Sequence, residues 1–92
     1  MTRSQVTLKQ LRYLVALSDF EHFRKAAESC DISQPSFSVQ LQNLEGALGV
    51  RLVERARGGV IFTPLGREIV ARARRVVFDV QSIKDYAAAA VQ

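Results

Sequence analysis

Two short apolar stripes separated by a compact turn constrain the fold of this chain more than any other feature. The first stripe consists of Phe23, Ala26, Ala27 and Cys30, whose i, i+3, i+4, i+7 spacing places them on one face of a helix. The adjacent alanines leave room for a second helix to cross closely, without loss of helix propensity. This segment therefore predicts the first half of a helix-turn-helix.

The residues after the first stripe predict a turn and a second helix. Asp31 interrupts the apolar spacing, and Ile32 is suited to fill the space between two helices. Ser33 is a favourable N-cap, and Pro35 fits the first turn of the helix that follows. The apolar stripe expected on this helix has 4-3-4 spacing and comprises Phe37, Leu41, Leu44 and Leu48.

The other side of this predicted helix is polar and nearly uncharged. An ordinary surface helix more often carries Lys and Glu, whereas amides and hydroxyls match the base edges exposed in a DNA major groove. This pattern favours a recognition helix, and the alternative is a solvated face with few charges. The residues concerned are Gln34, Ser36, Ser38, Gln40, Gln42 and Asn43.

The segment before the helix-turn-helix predicts a further helix, so that three helices share one small core. Thr7 is its expected N-cap. Its buried face is expected to contain Leu8, Leu11, Leu14, Val15 and Ala16.

The segment after the helix-turn-helix predicts a β-hairpin. Gly49 ends the preceding helix, and residues 50–55 alternate, with Val50, Leu52 and Glu54 on one side. Residues 56–59 form a turn, and residues 60–63 form a second strand. The hairpin corresponds to a wing with a basic tip, or alternatively to a solubilising loop.

A single long helix is expected to begin at Thr63 and Pro64, an N-cap followed by proline at the first helical position. An apolar seam of this length exceeds what so small a domain can cover, which favours a homodimer. Packing back onto the same chain explains only the first turns, and binding of a different partner protein is a competing hypothesis. The seam residues assigned to the dimer interface are Ile69, Ala73, Val76, Val80, Ile83 and Ala87.

Composition narrows the classes of function. The 92 residues allow one domain, and the formal charge of +4 with a pI of about 9.8 weakly favours an anionic partner. Seven arginines crowd into residues 51–75 and suggest a basic side. One histidine and one cysteine provide no catalytic or metal-binding constellation, so we expect no enzyme activity and no cofactor or metal.

The single cysteine and histidine have structural interpretations. Cys30 lies on the buried stripe and is expected to fill the core rather than to act in redox chemistry. His22 is expected to cap the second helix. A lone cysteine forms no internal disulfide, and the sequence has neither a leader nor a membrane-spanning run, so a cytoplasmic location is expected.

Taken together, these motifs resemble the DNA-binding domain of LysR-type bacterial transcriptional regulators over essentially the whole chain. The resemblance implies a mainly α fold, with a winged helix-turn-helix at residues 1–63 and a linker helix for dimerisation at residues 64–92. It rests on Leu11, Tyr13-Leu14, Phe23, Ala26-Ala27, Ser33-Gln34-Pro35, Ser38, Leu44-Glu45, Leu48-Gly49, Leu52, Arg55, Thr63-Pro64 and Gly66.

The resemblance also implies partners and a longer parent protein. The expected partners are double-stranded DNA with a two-fold related operator and a second copy of the chain, with a tetramer possible in the full-length protein. Family members also contain a ligand- or redox-sensing domain, so the chain is expected to be an amino-terminal fragment. Within the family, three segments are most similar to the peroxide-sensing OxyR branch, namely residues 13–17, 22–24 and 28–30.

The resemblance assigns DNA contacts residue by residue. Backbone contacts fall on Ser33 and Arg24, and the wing contributes Arg55 and Arg57. Many members have arginine at position 39, whereas Val39 offers an apolar contact, for example to a thymine methyl group. The basic residue often found near the tip of the wing falls on Gly58, one place after Arg57. The base-contacting stretch consists of Gln34, Pro35, Ser36, Ser38 and Val39.

Overall fold

A computed structural model of the chain describes residues 5–91 and confirms the predicted architecture of a winged helix-turn-helix followed by a long helix. Within these residues the strands form one antiparallel hairpin, in which Val53 pairs with Phe62 and Ala56 with Gly59. The elements in chain order are α1 (Leu8–Phe20), α2 (Phe23–Ser29), α3 (Gln34–Leu48), β1 (Val53–Ala56), β2 (Gly59–Phe62) and α4 (Pro64–Ala90).

Each described helix begins directly after the residue that the sequence predicted as its N-cap. The side chains of Thr7, Ser33 and Thr63 each accept a hydrogen bond from a backbone N–H of the first helical turn, and His22 does the same for α2. The caps satisfy donors that have no partner within the helix, and they thereby fix where each helix starts.

The core is centred on Phe37 of α3, which is fully buried. The ring of Tyr13 lies 5.3 Å from the Phe37 ring, and the ring of Phe23 contacts it edge-on at 6.1 Å, centroid to centroid. Ile32 packs against this core from the turn, as predicted. The predicted stripe of α3 is buried at Leu41 and Leu44 but not at its last member, because Leu48 lies at the helix end and is 36% exposed.

The buried face of α1 differs from the predicted one. Leu14 is buried as expected, but the other buried residues are Gln10, Tyr13 and Leu17. Four residues expected in the core are only partly buried, namely Leu8, Leu11, Val15 and Ala16. The reason is that α1 packs against α4 as well as against α2 and α3. A prediction based on one apolar stripe assumes that a single face of the helix is buried, and it fails for a helix that is covered from several sides.

The predicted alternation of the first strand is also wrong. Leu52 and Val53 are both buried, Glu54 is exposed, and the strand begins only at Val53. The Leu52 carbonyl oxygen accepts a hydrogen bond from the Thr63 N–H at 3.0 Å, which continues the hairpin register by one pair. Leu52 directly precedes the strand, and its burial beside Val53 does not follow the alternation expected of a strand.

Glu45 attaches the hairpin to α3. Its Oε2 accepts hydrogen bonds from the backbone N–H groups of Leu52, at 2.7 Å, and Val53, at 3.2 Å. The only acidic residue of α3 is thus used to position the start of the wing.

The first turns of α4 belong to the domain core, and the rest of the helix leaves it. Gly66, Val70 and Ala73 are buried, whereas every residue from 81 to 91 is exposed. Arg74 donates from Nη2 to Asp19 Oδ1 at 2.6 Å and to Ser18 Oγ at 3.3 Å, which joins α4 to the end of α1. The domain boundary predicted between residues 63 and 64 lies at the start of α4. The core packing is continuous across this boundary, since the first turns of α4 are part of the core.

None of the helices in the described part of the chain has an apolar stretch long enough to cross a membrane.

We expect Gly66→Ala to destabilise the domain by about 3 kcal/mol or more, because the added Cβ would overlap the backbone carbonyl of Leu52. Gly46→Ala is the matched control, since a Cβ there meets no atom within 4 Å and alanine favours the helix by about 0.5–1 kcal/mol. Denaturant unfolding at a fixed chain concentration measures both changes. Similar midpoints for the two variants would contradict the close contact between α4 and Leu52.

We expect Glu45→Ala to lower the free energy of unfolding by about 1–3 kcal/mol, because it leaves two backbone donors without their acceptor. Glu54→Ala removes the same charge from an exposed position of β1 and should change stability by less than about 0.5 kcal/mol. The same unfolding experiment compares them, and equal effects would rule out a structural role for the Glu45 carboxylate.

Candidate nucleic-acid interface

The solvent-facing side of α3 presents the amides and hydroxyls that the sequence singled out. Because the opposite side packs into the core, Ser36, Gln42 and Asn43 are exposed, and Gln34, Ser38 and Gln40 are half-buried. The side chains on this face are uncharged, since the Glu45 carboxylate is turned toward the wing. Such a face can exchange hydrogen bonds with base edges and carries no negative charge to repel phosphates.

The start of α3 meets α2 and the wing in one concave surface. Arg24, which is exposed, and Gln34 border this hollow together with Gly58 and Gly59 of the hairpin turn. Ser33, at the N-cap, is exposed beside it. The structure thus brings together residues from three separate segments to which the sequence assigned DNA contacts.

Arg55 connects the wing to both helices of the helix-turn-helix. The guanidinium carbon lies 3.8 Å from the centroid of the Phe23 ring, and Nη2 donates a hydrogen bond to Ser38 Oγ at 2.9 Å. Stacking and a hydrogen bond together hold a planar guanidinium in one orientation. One donor is used by Ser38, and a guanidinium has five, so the geometry leaves donors for a further partner.

Arg57 lies in the turn of the hairpin and is exposed. Gly58 follows it with a φ of 82°, a left-handed conformation that favours glycine and that allows this tight turn. Arg57 has no hydrogen-bond or ion-pair partner among residues 5–91. Its side chain is therefore free to reach beyond the protein surface at the tip of the wing.

The predicted basic side is partly neutralised along α4. Arg72 lies 3.5 Å from Glu68, and Arg74 pairs with Asp19. Arg51, by contrast, is exposed beside Ser38 and Gln42 of α3. The cations nearest to the polar face of α3 are therefore those of α2, the wing and the approach to it.

Sequence reasoning missed Gln10, the one polar side chain in the buried core of the described residues. Its Oε1 accepts the Thr7 N–H at 3.0 Å, and its Nε2 donates to Gln40 Oε1 at 3.4 Å. A signal was present, because Thr7 followed three residues later by Gln10 is a capping-box pattern. The link from Gln10 to Gln40 depends on tertiary packing and has no such signal.

Cys30 is half-buried at the C-terminal end of α2 and packs against the core. Within residues 5–91 no group of three or more His, Cys, Asp or Glu side chains is arranged to hold a metal ion.

The predicted dimer residues fall into two groups. Ala73 is only 2% exposed and packs within the core of its own chain, where a second copy cannot reach it, and Ile69 is partly covered by the same core. Val76 and Ile83 are 42% and 68% exposed, Val80 is half-buried, and Ala87 is exposed. Phe78 and Tyr86, which the prediction left out, are exposed as well.

Comparison with known proteins places this arrangement in a family. Residues 8–67 match the family described as "Bacterial regulatory helix-turn-helix protein, lysR family". The hydrogen peroxide-inducible genes activator of Haemophilus influenzae is 45% identical over 82 residues, which cover 89% of this chain and 27% of that protein. The chain thus spans 27% of the length of this relative.

Two solved structures have the same fold. A full-length OxyR variant from Pseudomonas aeruginosa superposes with a TM-score of 0.87 at 45% identity, over 92% of this chain and 29% of that one. The crystal structure of the CbnR DBD–DNA complex superposes with a TM-score of 0.85 at 32% identity, over 95% of this chain and 100% of that one. The chain therefore belongs to the lysR family of bacterial regulatory helix-turn-helix proteins, and its fold is that of the family's DNA-binding domain.

Proposed function

We propose that this chain binds duplex DNA sequence-specifically, with α3 in the major groove, as the DNA-binding part of a transcriptional regulator. The observation that carries the proposal is the uncharged amide and hydroxyl face of α3, bordered by Arg24, Arg51 and Arg55. A related domain was solved in complex with DNA, which supports DNA as the partner. The arginines supply affinity for phosphates, and the polar face supplies selectivity for bases.

Different residues have different roles in this proposal. Gln34 and Ser36 contact base edges near the start of α3, and an amide can serve adenine as donor and acceptor at once. Arg24 and the Ser33 region contact the backbone. Arg57 follows a phosphate or enters the minor groove from the wing tip, while Arg55 holds the wing against Ser38 and offers its remaining donors to the backbone.

A two-fold related operator requires two copies of the domain, and α4 offers the surface that joins them. Val76, Ile83 and Ala87 are exposed at seam spacing beyond the part of α4 that the core covers. A second α4 packed along this seam would bury side chains that water now surrounds. We therefore propose a homodimer joined through the second half of α4.

The parent protein is proposed to respond to peroxide, as the name of the Haemophilus influenzae relative states for that protein. Sensing is assigned to a part of the protein outside this chain, since Cys30 is half-buried at a helix end and packs against the core. The proposed role is regulatory and not enzymatic, and because its partner is chromosomal DNA, the proposed location is the bacterial cytoplasm.

Gln34→Ala and Arg57→Ala should affect binding differently. We expect Gln34→Ala to weaken binding to a selected operator by about 5–150-fold and to leave binding to random duplex unchanged, because it removes a base contact. Arg57→Ala should weaken both and reduce the slope of log K against log salt by about 1, because it removes a phosphate contact. Fluorescence anisotropy with labelled duplexes at several salt concentrations measures these changes.

The control for this pair is Lys84→Ala, which removes an exposed cation from the far half of α4 and should leave both affinities unchanged. If about 6–10 phosphates are contacted, wild-type affinity should fall about 10³–10⁵-fold between 50 and 200 mM salt. A binding affinity that does not change with salt, or equal losses of affinity for Gln34→Ala and Arg57→Ala on both duplexes, would contradict the proposal. Absence of any DNA binding would favour a protein-interaction module that uses the seam of α4.

Ile83→Asp should raise the dimer dissociation constant on the order of 10²-fold or more, because a carboxylate would be placed in an apolar contact. Ser82→Asp adds the same charge one residue away, off the seam, and should leave the dimer intact. Sedimentation equilibrium compares the two variants with the wild-type chain. A monomeric wild-type chain, or equal dissociation of both variants, would exclude the seam as the interface.

A further inference from the structure

One part of the exposed face of α3 is apolar, in contrast to the rest. A shallow hollow there is lined by Pro35, Ser36, Val39 and Gln40, and most of its lining is apolar. Val39 is 51% exposed, although burying it against other residues of the chain would be favourable. An exposed apolar side chain in the middle of a polar face is suited to a partner that carries a small apolar group.

The Gln40 amide at the edge of this hollow has a defined orientation. Gln10 must direct its Oε1 toward the Thr7 N–H, because a backbone N–H can only donate. The Gln10 Nε2 therefore donates to Gln40, which must present its Oε1. The Gln40 Nε2 is then the group left to donate outward, beside Val39.

A hydrogen-bond donor beside an apolar side chain is complementary to one base in the major groove. In the major groove thymine presents the O4 acceptor next to the 5-methyl group, whereas cytosine presents an N4 donor and no methyl group. Adenine and guanine have no methyl group there.

We propose that Pro35, Val39 and Gln40 form a subsite that reads thymine, and that Gln10 is a positioning residue that orients the Gln40 donor. This inference rests on the proposed function, because the subsite acts only when α3 lies in a major groove. Val39 contacts the methyl group, and the Gln40 Nε2 donates to O4.

The test uses the 92-residue chain and an operator selected from a random duplex pool. Each thymine of the half-site is replaced in turn by deoxyuracil, by 5-methylcytosine and by cytosine, the last two paired with guanine. At one position we expect deoxyuracil to weaken binding about fourfold, the effect of burying one methyl group. At that position cytosine should bind about tenfold more weakly than deoxyuracil, because the cytosine N4 amino group and the Gln40 Nε2 are both donors and face each other.

Val39→Ala should abolish the difference between thymine and deoxyuracil at that position while keeping the preference for deoxyuracil over cytosine. The side chain is exposed and alanine favours a helix, so the variant should fold. Anisotropy titrations of the same duplexes give both ratios.

Gln10→Glu tests the orienting role at a residue that does not contact DNA itself. A threonine N-cap followed three residues later by a glutamate is a favourable capping box, so α1 should still form in this variant. The second carboxylate oxygen can only accept, so Gln40 must turn its Nε2 toward position 10 and present its oxygen to the hollow. We expect 5-methylcytosine, which places a donor beside a methyl group, then to bind about tenfold better than thymine at that position.

The added negative charge weakens binding to all duplexes alike, so the ranking of bases is the measurement. Sensitivity to the methyl group together with a reversed ranking in Gln10→Glu would establish the subsite. Equal binding of thymine and deoxyuracil at every position, or an unchanged ranking in Gln10→Glu, would overturn it. Since the selected operator would still bind, such a result would leave the proposed function standing.

Discussion

The burial of Phe37 between the rings of Tyr13 and Phe23 is the contact on which the rest of the structure depends. It places one face of α3 in the core, and a helix with one face buried must present the opposite face to solvent. The polar side chains between the buried positions therefore lie on the solvent-facing side of α3. The presentation of amides and hydroxyls to a partner is thus a consequence of core packing, and it persists without bound DNA.

Two polar links then fix the flanks of α3. On one side Arg55 stacks on Phe23 and donates to Ser38, which holds the wing against the helix. On the other side Gln10 joins the start of α1 to Gln40. Side chains positioned before binding lose less conformational entropy when a ligand arrives, so such links favour both affinity and selectivity. They also give a buried glutamine and an arginine with intramolecular contacts a part in positioning the proposed DNA-contacting side chains.

The long helix α4 connects the stability of the domain to its assembly. Its first turns complete the core, where Gly66 allows the helix backbone to approach Leu52 closely. Beyond Ala73 the helix extends away from the body. Val77 and Val80 are still half-buried, whereas Val76, Phe78 and every apolar side chain from Ile83 onward are exposed. Because the helix is continuous, the direction in which the exposed half points is set by packing in the first half. The Arg74 to Asp19 ion pair lies where the helix leaves the body.

The sequence alone determined the helix starts, the wing and the uncharged face of α3, because caps, prolines and apolar spacing are local signals that act within a few residues. The assignment of base contacts to the stretch from Gln34 to Val39 came from the family resemblance and stays a prediction. Only the tertiary structure decided that Ala73 belongs to the core, that Leu52 lies outside the strand, and that Glu45, Arg55 and Gln10 tie separate segments together. Those assignments depend on contacts between residues far apart in the chain, for which periodicity carries no information.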